Sequence, residues 1–293
     1  MGTEVMCMKF AVVGGDERSA RLCRLLLNDG HKVSSYALER AALPANVQRA
    51  GCIQACVYGA DCVILPVPAE RAGVLVSPLS GEHVSMAELI PALWPGQLLV
   101  AGKLGEESCL AAIRAGLTVE DIMLRRGYAV GNAAITAEGA IERMMSQSPR
   151  TLWQSRVLVT GWGKLAKVLA LRLCALGARV TVAARREGDR AMASALGAEG
   201  VEFCTLESRL SDFEFVVNTV PARVFSDAML CLIREDALLL ELASAPGGFD
   251  AALAENIGLH VCCAPGLPGQ CAPETAAELI RNAVYDVLRE QEE

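Results

Sequence analysis

Short apolar runs alternate with amphipathic stretches along the whole chain. In the first half the apolar runs predict strands, and each strand leads through a turn into a helical stretch. These predicted strands are at 8–13, 32–36, 62–65 and 98–101. Fully apolar strands separated by helices are typical of a parallel sheet that crossover helices cover on both faces. The pattern therefore predicts an α/β domain.

The second half repeats this order and predicts a second α/β domain. Its predicted strands are at 156–160, 179–184, 215–219, 237–242 and 259–263. An apolar stretch that Pro149 ends predicts a helix between the halves, and the amphipathic stretch from Glu274 predicts a terminal helix.

We therefore expect two Rossmann-like, doubly wound parallel-sheet domains. The first is 1–132, a substrate and partner domain, and the second is 150–273, a nucleotide-binding domain. A bridging helix at 133–149 joins them, and the C-terminal helix, 274–293, packs back on the first domain.

The turn after the first strand of the second half carries a dinucleotide-binding pattern. A strand ends at Thr160, Gly161-Trp162-Gly163-Lys164-Leu165-Ala166 follows, and a helix runs on towards Gly177. The two glycines allow a tight turn and close approach of a pyrophosphate, and Ala166 lets the helix pack on the strand. The amide groups of Lys164 and Leu165 at the helix N-terminus can then bind the phosphates.

The end of the next strand indicates which dinucleotide is bound. NAD sites usually place an acidic residue there, on the ribose 2′-hydroxyl. This chain has Arg185 and Arg186 instead, which could bind the 2′-phosphate of NADP. We expect NADP rather than NAD; the alternative is a solvated basic turn.

Composition narrows the class of protein. Hydrophobic residues make up 53% of the 293 residues, which is enough to bury two cores, and the net charge of −7 argues against nucleic acid as a partner. No apolar run is long enough to span a bilayer. The twelve cysteines are scattered through apolar segments without zinc-ligand spacing. We therefore expect free thiols, no metal and a cytoplasmic location.

Ligands of parallel sheets bind beyond the carboxyl ends of the strands. In the second half those ends are rich in Gly and Pro, and we expect them to form a floor for the nicotinamide, although they could be only tight turns. The floor residues are Thr219, Val220, Pro221, Ala243, Ser244 and Pro265. In the first half the corresponding turns are Gly14–Arg18, Pro66–Pro68 and Gly102-Lys103. The Gly14-Gly15 turn is not expected to bind nucleotide, because Asp16 would repel a pyrophosphate.

Five segments in order carry a resemblance to a known family. They are Val13-Gly14-Gly15-Asp16-x-Arg18, Ile64-Leu65-Pro66-Val67, Thr136-x-Glu138-Gly139, Leu242-Ala243-Ser244-x-Pro246-Gly247-Gly248 and Ala264-Pro265-Gly266-Leu267-Pro268-Gly269. With the glycine loop among them, the chain resembles the family of dipicolinate synthase A subunits over almost its whole length. The resemblance implies an NAD(P)-dependent oxidoreductase in the mother cell of a sporulating bacterium. It also implies a flavoprotein-like partner, the B subunit of that synthase, with which the enzyme would oxidise a heterocyclic lysine-pathway intermediate to pyridine-2,6-dicarboxylate.

A dianionic product requires donors for its carboxylates and an acceptor for a proton. We expect Arg18, Asn132 and Thr136 to be donors, with Lys103 as a further candidate, and Asp16 or Glu138 to be the base. Four of these residues have a structural alternative. Arg18 could pair with Asp16 or Glu17 on the helix surface. Asn132 and Thr136 could cap the bridging helix, and Glu138 could interact with the dipole at its start.

Other functions remain open from the sequence. None of the three histidines ends a predicted strand, which argues against a histidine-dependent hydroxy-acid dehydrogenase. The alternatives are another NADP-dependent hydroxy- or imino-acid dehydrogenase, or a non-catalytic nucleotide-binding regulatory subunit. The B subunit is expected to contact the first-domain turns and the loop Gly247-Gly248-Phe249, unless Phe249 is a core residue. The sequence leaves open whether the chain forms a homo-oligomer.

Overall fold

The computed structural model of the chain describes residues 7–292. Contacts within it separate two compact units. Unit 1 contains the described residues up to Gly131 and those from Ala272 onwards, and unit 2 is Asn132–Cys271.

The strands are short and mostly apolar. They are β1 Lys9–Val13, β2 Lys32–Tyr36, β3 Gln48–Arg49, β4 Cys62–Ile64, β5 Glu70–Arg71, β6 Val74–Leu75, β7 Leu98–Ala101, β8 Thr118–Asp121, β9 Arg156–Thr160, β10 Arg179–Ala183, β11 Glu199–Val201, β12 Phe215–Asn218, β13 Leu238–Glu241 and β14 His260–Cys263.

The helices lie between the strands in both units. They are α1 Glu17–Asn28, α2 Ile53–Val57, α3 Met86–Leu89, α4 Glu106–Arg114, α5 Arg126–Ser146, α6 Lys164–Ala175, α7 Glu187–Ala195, α8 Asp227–Leu230, α9 Ala251–Asn256, α10 Leu267–Cys271 and α11 Pro273–Glu292.

Each unit is built on one six-stranded parallel sheet. The strand order is β3-β2-β1-β4-β7-β8 in unit 1 and β11-β10-β9-β12-β13-β14 in unit 2. Both orders reverse beside the first strand of the unit, as in doubly wound nucleotide-binding folds. The central strands are buried on both faces, so that their two-sided apolar sequence is required by the helices that cover them. The predicted fold class is confirmed.

The C-terminal helix packs in unit 1. Its apolar side chains, among them Ile280, Val284 and Val287, are buried in one cluster with Leu22 and Leu26 of α1. The packing of the last helix on the first domain is therefore confirmed as part of the fold.

The helix between the two sheets begins earlier than the sequence indicated. It starts at Arg126 rather than 133 and ends at Ser146 rather than 149. Glycines in its first turns lower helix propensity and concealed the true start. A Cβ at Gly131 would lie 2.8 Å from the Leu279 side chain, so this glycine allows α5 to pack closely on α11.

Two features are absent from residues 7–292. No group of three or more His, Cys, Asp or Glu residues in that range is placed to hold a metal ion. No helix within the same range is both long and apolar enough to cross a membrane.

Candidate nucleotide and substrate sites

The glycine loop after β9 has the backbone that a dinucleotide site requires. Gly161 has a φ of +91°, and a Cβ at this position would lie 2.9 Å from both Thr219 Oγ1 and Val220 Cγ2. Thr219 Oγ1 in turn donates a hydrogen bond of 2.6 Å to the carbonyl oxygen of Thr160. The turns after β9 and β12 therefore contact each other at Gly161, where no side chain would fit.

The helix that follows offers unpaired donors. Gly163 is the N-cap of α6 and provides no capping side chain, so the amides of the first turn, including those of Lys164 and Leu165, have no partner within the helix. A Cβ at Gly163 would meet no other protein atom within 4 Å. Ala166 is completely buried against the sheet. The loop can therefore bring a phosphate close to the helix N-terminus.

Trp162 lies between the two glycines and is 8% exposed. Its indole Nε1 is buried, and among the described residues it has no hydrogen-bond acceptor. Its ring centroid lies 5.9 Å from Lys167 Nζ, in the first turn of α6. A buried, unpaired N–H costs about 1–3 kcal/mol, which a ligand acceptor could offset. The loop thus fits a bound pyrophosphate group.

The basic pair after β10 is available for an anion. Arg185 and Arg186 are both exposed, and neither forms a salt bridge with another described residue. The nearby Arg190 is instead engaged, because it pairs with Glu202 at 2.6 Å and donates to the Arg185 carbonyl at 2.9 Å. Arg190 therefore shapes the turn and leaves the two preceding guanidinium groups free.

The turns of the expected nicotinamide floor lie at one edge of the sheet. β9, β12, β13 and β14 are parallel neighbours in this order, so their carboxyl ends are side by side. Thr219, Val220 and Pro221 follow β12, whereas Ala243 and Ser244 follow β13. In the turn after β14, the Pro265 carbonyl accepts a 2.9 Å hydrogen bond from Gln270 Nε2.

Two polar residues that sequence reasoning missed hold these turns. Asn218 and Glu241 end the otherwise apolar strands β12 and β13, and Asn218 Nδ2 donates to Glu241 Oε1 at 2.7 Å. Burial raises the pKa of the Glu241 carboxyl above its usual range, while hydrogen bonds from the Gly248 amide, Asn218 and the Ala243 amide partly oppose this shift. A polar residue at the carboxyl end of an apolar strand was the signal in the sequence.

In unit 1, Asp16 and Arg18 form a pair at the carboxyl end of β1. Arg18 Nη2 lies 2.8 Å from Asp16 Oδ2, and Arg18 Nε donates to Asp16 Oδ1 at 2.9 Å. Asp16 also caps α1 by accepting from the Arg18 amide, and Arg18 Nη2 donates to the Val67 carbonyl. Arg18 therefore pairs with Asp16, as the structural alternative predicted, but at 5% exposure it does so in the interior rather than on the helix surface. The reason is that the turn after β4 covers it.

Tyr128 is a further residue of this region that sequence reasoning missed. It lies in the first turn of α5 and is buried in unit 1. Burial raises the pKa of Tyr128 to about 12, with the charge of Arg18 acting in the opposite direction and that of Asp16 in the same direction. Its phenol therefore stays protonated at neutral pH.

The three candidates on α5 do not lie where the sequence indicated. Because the helix begins at Arg126, Asn132 and Thr136 do not cap it, and Glu138 is too far along it to interact with its N-terminus. Thr136 Oγ1 donates to the Asn132 carbonyl at 2.7 Å, as hydroxyl groups inside helices commonly do. Glu138 is exposed and pairs with Arg172 Nη2 at 3.0 Å.

The loop expected to contact a partner contributes to the core instead. Phe249 is 5% exposed and packs edge-to-face on Phe225, with ring centroids 6.2 Å apart. The amides of Val224 and Phe225 donate to the Gly248 carbonyl, which fixes the loop. Phe249 is therefore a core residue, and the alternative interpretation of the sequence is the correct one.

Comparison with known proteins confirms the resemblance inferred from the sequence. Residues 9–123 match the family of N-terminal domains of dipicolinate synthase A subunits. The chain is 28% identical to the dipicolinate synthase A subunit of Bacillus subtilis, over 97% of this chain and 96% of the relative. The crystal structure of the A subunit from Bacillus halodurans matches 96% of this chain and 97% of its own length with a TM-score of 0.85 and 25% identity. The crystal structure of dipicolinate synthase, A chain, from Bacillus subtilis matches 98% of this chain and 97% of its own length, with a TM-score of 0.83 and 27% identity.

More distant structures share the fold alone. A transhydrogenase from Sinorhizobium meliloti matches 97% of this chain and 93% of its own length with a TM-score of 0.68 at 16% identity. This transhydrogenase therefore shares the two-unit architecture of the chain.

Proposed function

We propose that this chain, which resembles the A subunit of dipicolinate synthase along its length, is an NADP-dependent oxidoreductase that forms dipicolinate from a dihydrodipicolinate-type intermediate. The glycine loop carries the proposal, because its left-handed Gly161, uncapped helix and buried unpaired indole together suit a dinucleotide phosphate. The names of the Bacillus relatives support the substrate. Sporulation, a mother-cell location and a partnership with the synthase's B subunit belong to the same proposal.

Residues of unit 2 would hold the nucleotide. The amides of Gly163, Lys164 and Leu165 would bind the pyrophosphate, and Arg185 with Arg186 would bind the 2′-phosphate, so that NADP is preferred to NAD. When bound, the nicotinamide supplies the hydride acceptor. The turns 219–221 and 243–244 and Pro265 would present the ring with backbone and small side chains, which allows close approach.

The substrate must lose a hydride and a proton, and its ring becomes aromatic. The stability of the aromatic ring drives the reaction, so the protein's part is to orient the substrate and to accept the proton. Arg18 is proposed to bind a carboxylate, with Asn132 and Thr136 as further donors. Thr136 already uses its proton on the Asn132 carbonyl, so this donation would require its hydroxyl to rotate.

The proton acceptor is proposed to be Asp16 or Glu138. Both carboxylates are engaged with an arginine, Asp16 with Arg18 and Glu138 with Arg172. Glu138→Gln separates the two candidates, because Glu138 is exposed and its loss should not disturb the fold. Unchanged turnover in this variant assigns the role to Asp16, and a large loss of kcat assigns it to Glu138.

Arg18→Ala tests the anion site. The variant leaves the Asp16 carboxylate and the Val67 carbonyl without their partner, and we expect the free energy of unfolding to fall by about 2–3 kcal/mol. If Arg18 binds substrate, KM should also rise, whereas Kd for NADP should not change. Unchanged KM in folded protein would restrict Arg18 to a structural role.

A test of the whole proposal uses the purified chain, NADP and the intermediate, with and without the flavoprotein-like B subunit. We expect the chain alone to bind NADP but to make little dipicolinate, and the mixture to form NADPH together with the ultraviolet spectrum of the aromatic product. A non-aromatic product would indicate another dehydrogenase of this fold. Nucleotide binding without turnover in the mixture would indicate a regulatory role. Full turnover by the chain alone would remove the need for a partner.

A further inference from the structure

A half-buried carboxylate links the two turns that follow β12 and β13. Glu241 Oε1 accepts hydrogen bonds from Asn218 Nδ2 at 2.7 Å and from the Ala243 amide at 2.8 Å. Its other oxygen, Oε2, accepts from the Gly248 amide at 2.7 Å. Among the described residues no cation pairs with Glu241. The carboxylate is therefore stabilised by three neutral N–H groups alone.

Asn218 extends this linkage to β9 and to the turn after β12. Its Oδ1 accepts from Thr160 Oγ1 at 2.6 Å and from the Val220 amide at 3.1 Å. Its Nδ2 also donates to the Val220 carbonyl at 2.9 Å. The fit is close, because a Cβ at Gly248 would lie only 2.4 Å from this side chain. One connected network thus fixes the turns 219–221 and 243–248.

The charge of Glu241 does not itself stabilise the fold. A raised pKa means that folding favours the protonated acid, so the ionised Glu241 lowers stability at neutral pH. The contribution of Glu241 to the free energy of unfolding is fully present below the usual pKa of a glutamate. It is lost as the pH rises through the higher pKa that Glu241 has in the folded protein. A half-buried carboxylate with a perturbed pKa at the carboxyl edge of a sheet is a candidate for a functional residue.

We propose that Glu241 is a positioning residue for nucleotide binding, which as a carboxylate holds the turns 219–221 and 243–248 in the arrangement that receives the nicotinamide. This inference rests on the proposed nucleotide site. A carboxylate only accepts hydrogen bonds, whereas the protonated acid turns one oxygen into a donor. Three N–H groups donate to the two oxygens, and the neutral acid is a weaker acceptor than the carboxylate, so protonation weakens the contacts that hold the turns.

Among the described residues, Cys263 is an ionisable group whose pKa the charge of Glu241 affects. Cys263 is its register partner on β14, and burial is the first cause that raises the pKa of this thiol, so Cys263 is neutral in the acid range. The Glu241 carboxyl is then the group whose titration should change the turns. Since the ionised form is the ordered one, nucleotide affinity should fall as the pH falls through the raised pKa of Glu241.

The experiment measures Kd for NADP by calorimetry from pH 8 to pH 5 in the wild type, Glu241→Gln and Glu241→Asp. The ratio of the variant and wild-type constants at each pH cancels the titration of the nucleotide's own phosphate. For Glu241→Gln we expect a ratio of about tenfold at pH 8, the effect of losing one hydrogen bond to a charged group, and a smaller ratio as the pH is lowered. Glu241→Asp keeps an acceptor-only group and should retain the pH dependence.

Glu214→Gln is the matched control. Glu214 immediately precedes β12 at the opposite edge of the same sheet and accepts from the Arg156 amide at 2.6 Å. This variant should bind NADP like the wild type at every pH. If it showed the same pH-dependent ratio as Glu241→Gln, the effect would be general and the proposal would be wrong.

A second measurement needs no variant. In the unliganded wild type, hydrogen exchange at the amides of Ala243 and Gly248, corrected for the intrinsic rate, should lose protection as the pH is lowered. Constant protection, or a Kd ratio that does not change with pH, overturns the role of Glu241 while leaving the nucleotide site intact. Absence of NADP and NAD binding by the wild type would instead overturn the nucleotide site and this inference with it.

Discussion

If the proposed nucleotide site is correct, replacing Arg185 and Arg186 together by alanine should remove a preference for NADP over NAD. Both side chains are exposed after β10 and form no salt bridge with another described residue, so their removal breaks no ion pair of the folded chain. Folding stability should change by less than about 0.5 kcal/mol, as for ordinary surface substitutions.

The expected loss of affinity follows from the contacts that are available. A hydrogen bond to a charged group contributes about 1.5–3 kcal/mol, so two such arginines would contribute about 3–6 kcal/mol if they acted independently. The two contributions are not fully additive, so the NADP binding free energy should weaken by about 2–4 kcal/mol, or roughly 30- to 900-fold. NAD has no 2′-phosphate, and its Kd should barely change.

Calorimetric titration of both nucleotides provides the measurement, and Arg179→Ala is a control for charge. Arg179 begins the same strand and is exposed, with no salt bridge to a described residue. About 13 Å of strand separates it from Ala183, at about 3.3 Å per residue, which exceeds the Debye length of about 8 Å at physiological salt. Equal affinities of the wild type for NAD and NADP, or an equal effect of the control, would refute the assignment of the 2′-phosphate to this pair.

Three further outcomes test other parts of the structure. Gly163→Val should abolish NADP binding, and the protein should stay folded because a Cβ at this position meets no protein atom. The control Gly51→Val, whose Cβ would also lie in open space, should bind NADP normally. Normal NADP affinity of the Gly163 variant would place the nucleotide elsewhere. Phe249→Ala should lower the free energy of unfolding by about 3–5 kcal/mol in denaturant titrations, as expected for a core residue, and a loss under 1 kcal/mol would contradict its burial. Burial lowers the pKa of His31 from 6.5, so the free energy of unfolding should fall as the pH drops below about 6.5. His31→Gln should flatten this pH dependence, whereas the control His260→Gln, at an exposed position, should not. An unchanged slope in the His31 variant would refute this role of His31.

Local sequence determined nine of the fourteen described strands, the doubly wound class and the glycine loop; the strands it missed are β3, β5, β6, β8 and β11. Strands such as β9 and β12 are apolar along most of their length because helices cover both faces of the sheet, and this requirement is visible in one dimension. The Gly161 turn was equally visible, since a left-handed φ and a close neighbour both require a residue without a side chain. The start of α5 could not be predicted from local sequence, because the glycines in its first turns have low helix propensity. Packing of this part of α5 on α11 nevertheless favours the helix.

The tertiary structure alone decided which polar groups meet. Thr160, Asn218 and Glu241 end three different strands, and only the strand order β9-β12-β13 makes them hydrogen-bonded neighbours. In the same way, the turn after β4 buried Arg18, and contact with Phe225 placed Phe249 in the core rather than at a surface. The physical reason is that period and propensity act between residues close in sequence, whereas burial and hydrogen-bond pairing depend on which segments the fold brings side by side.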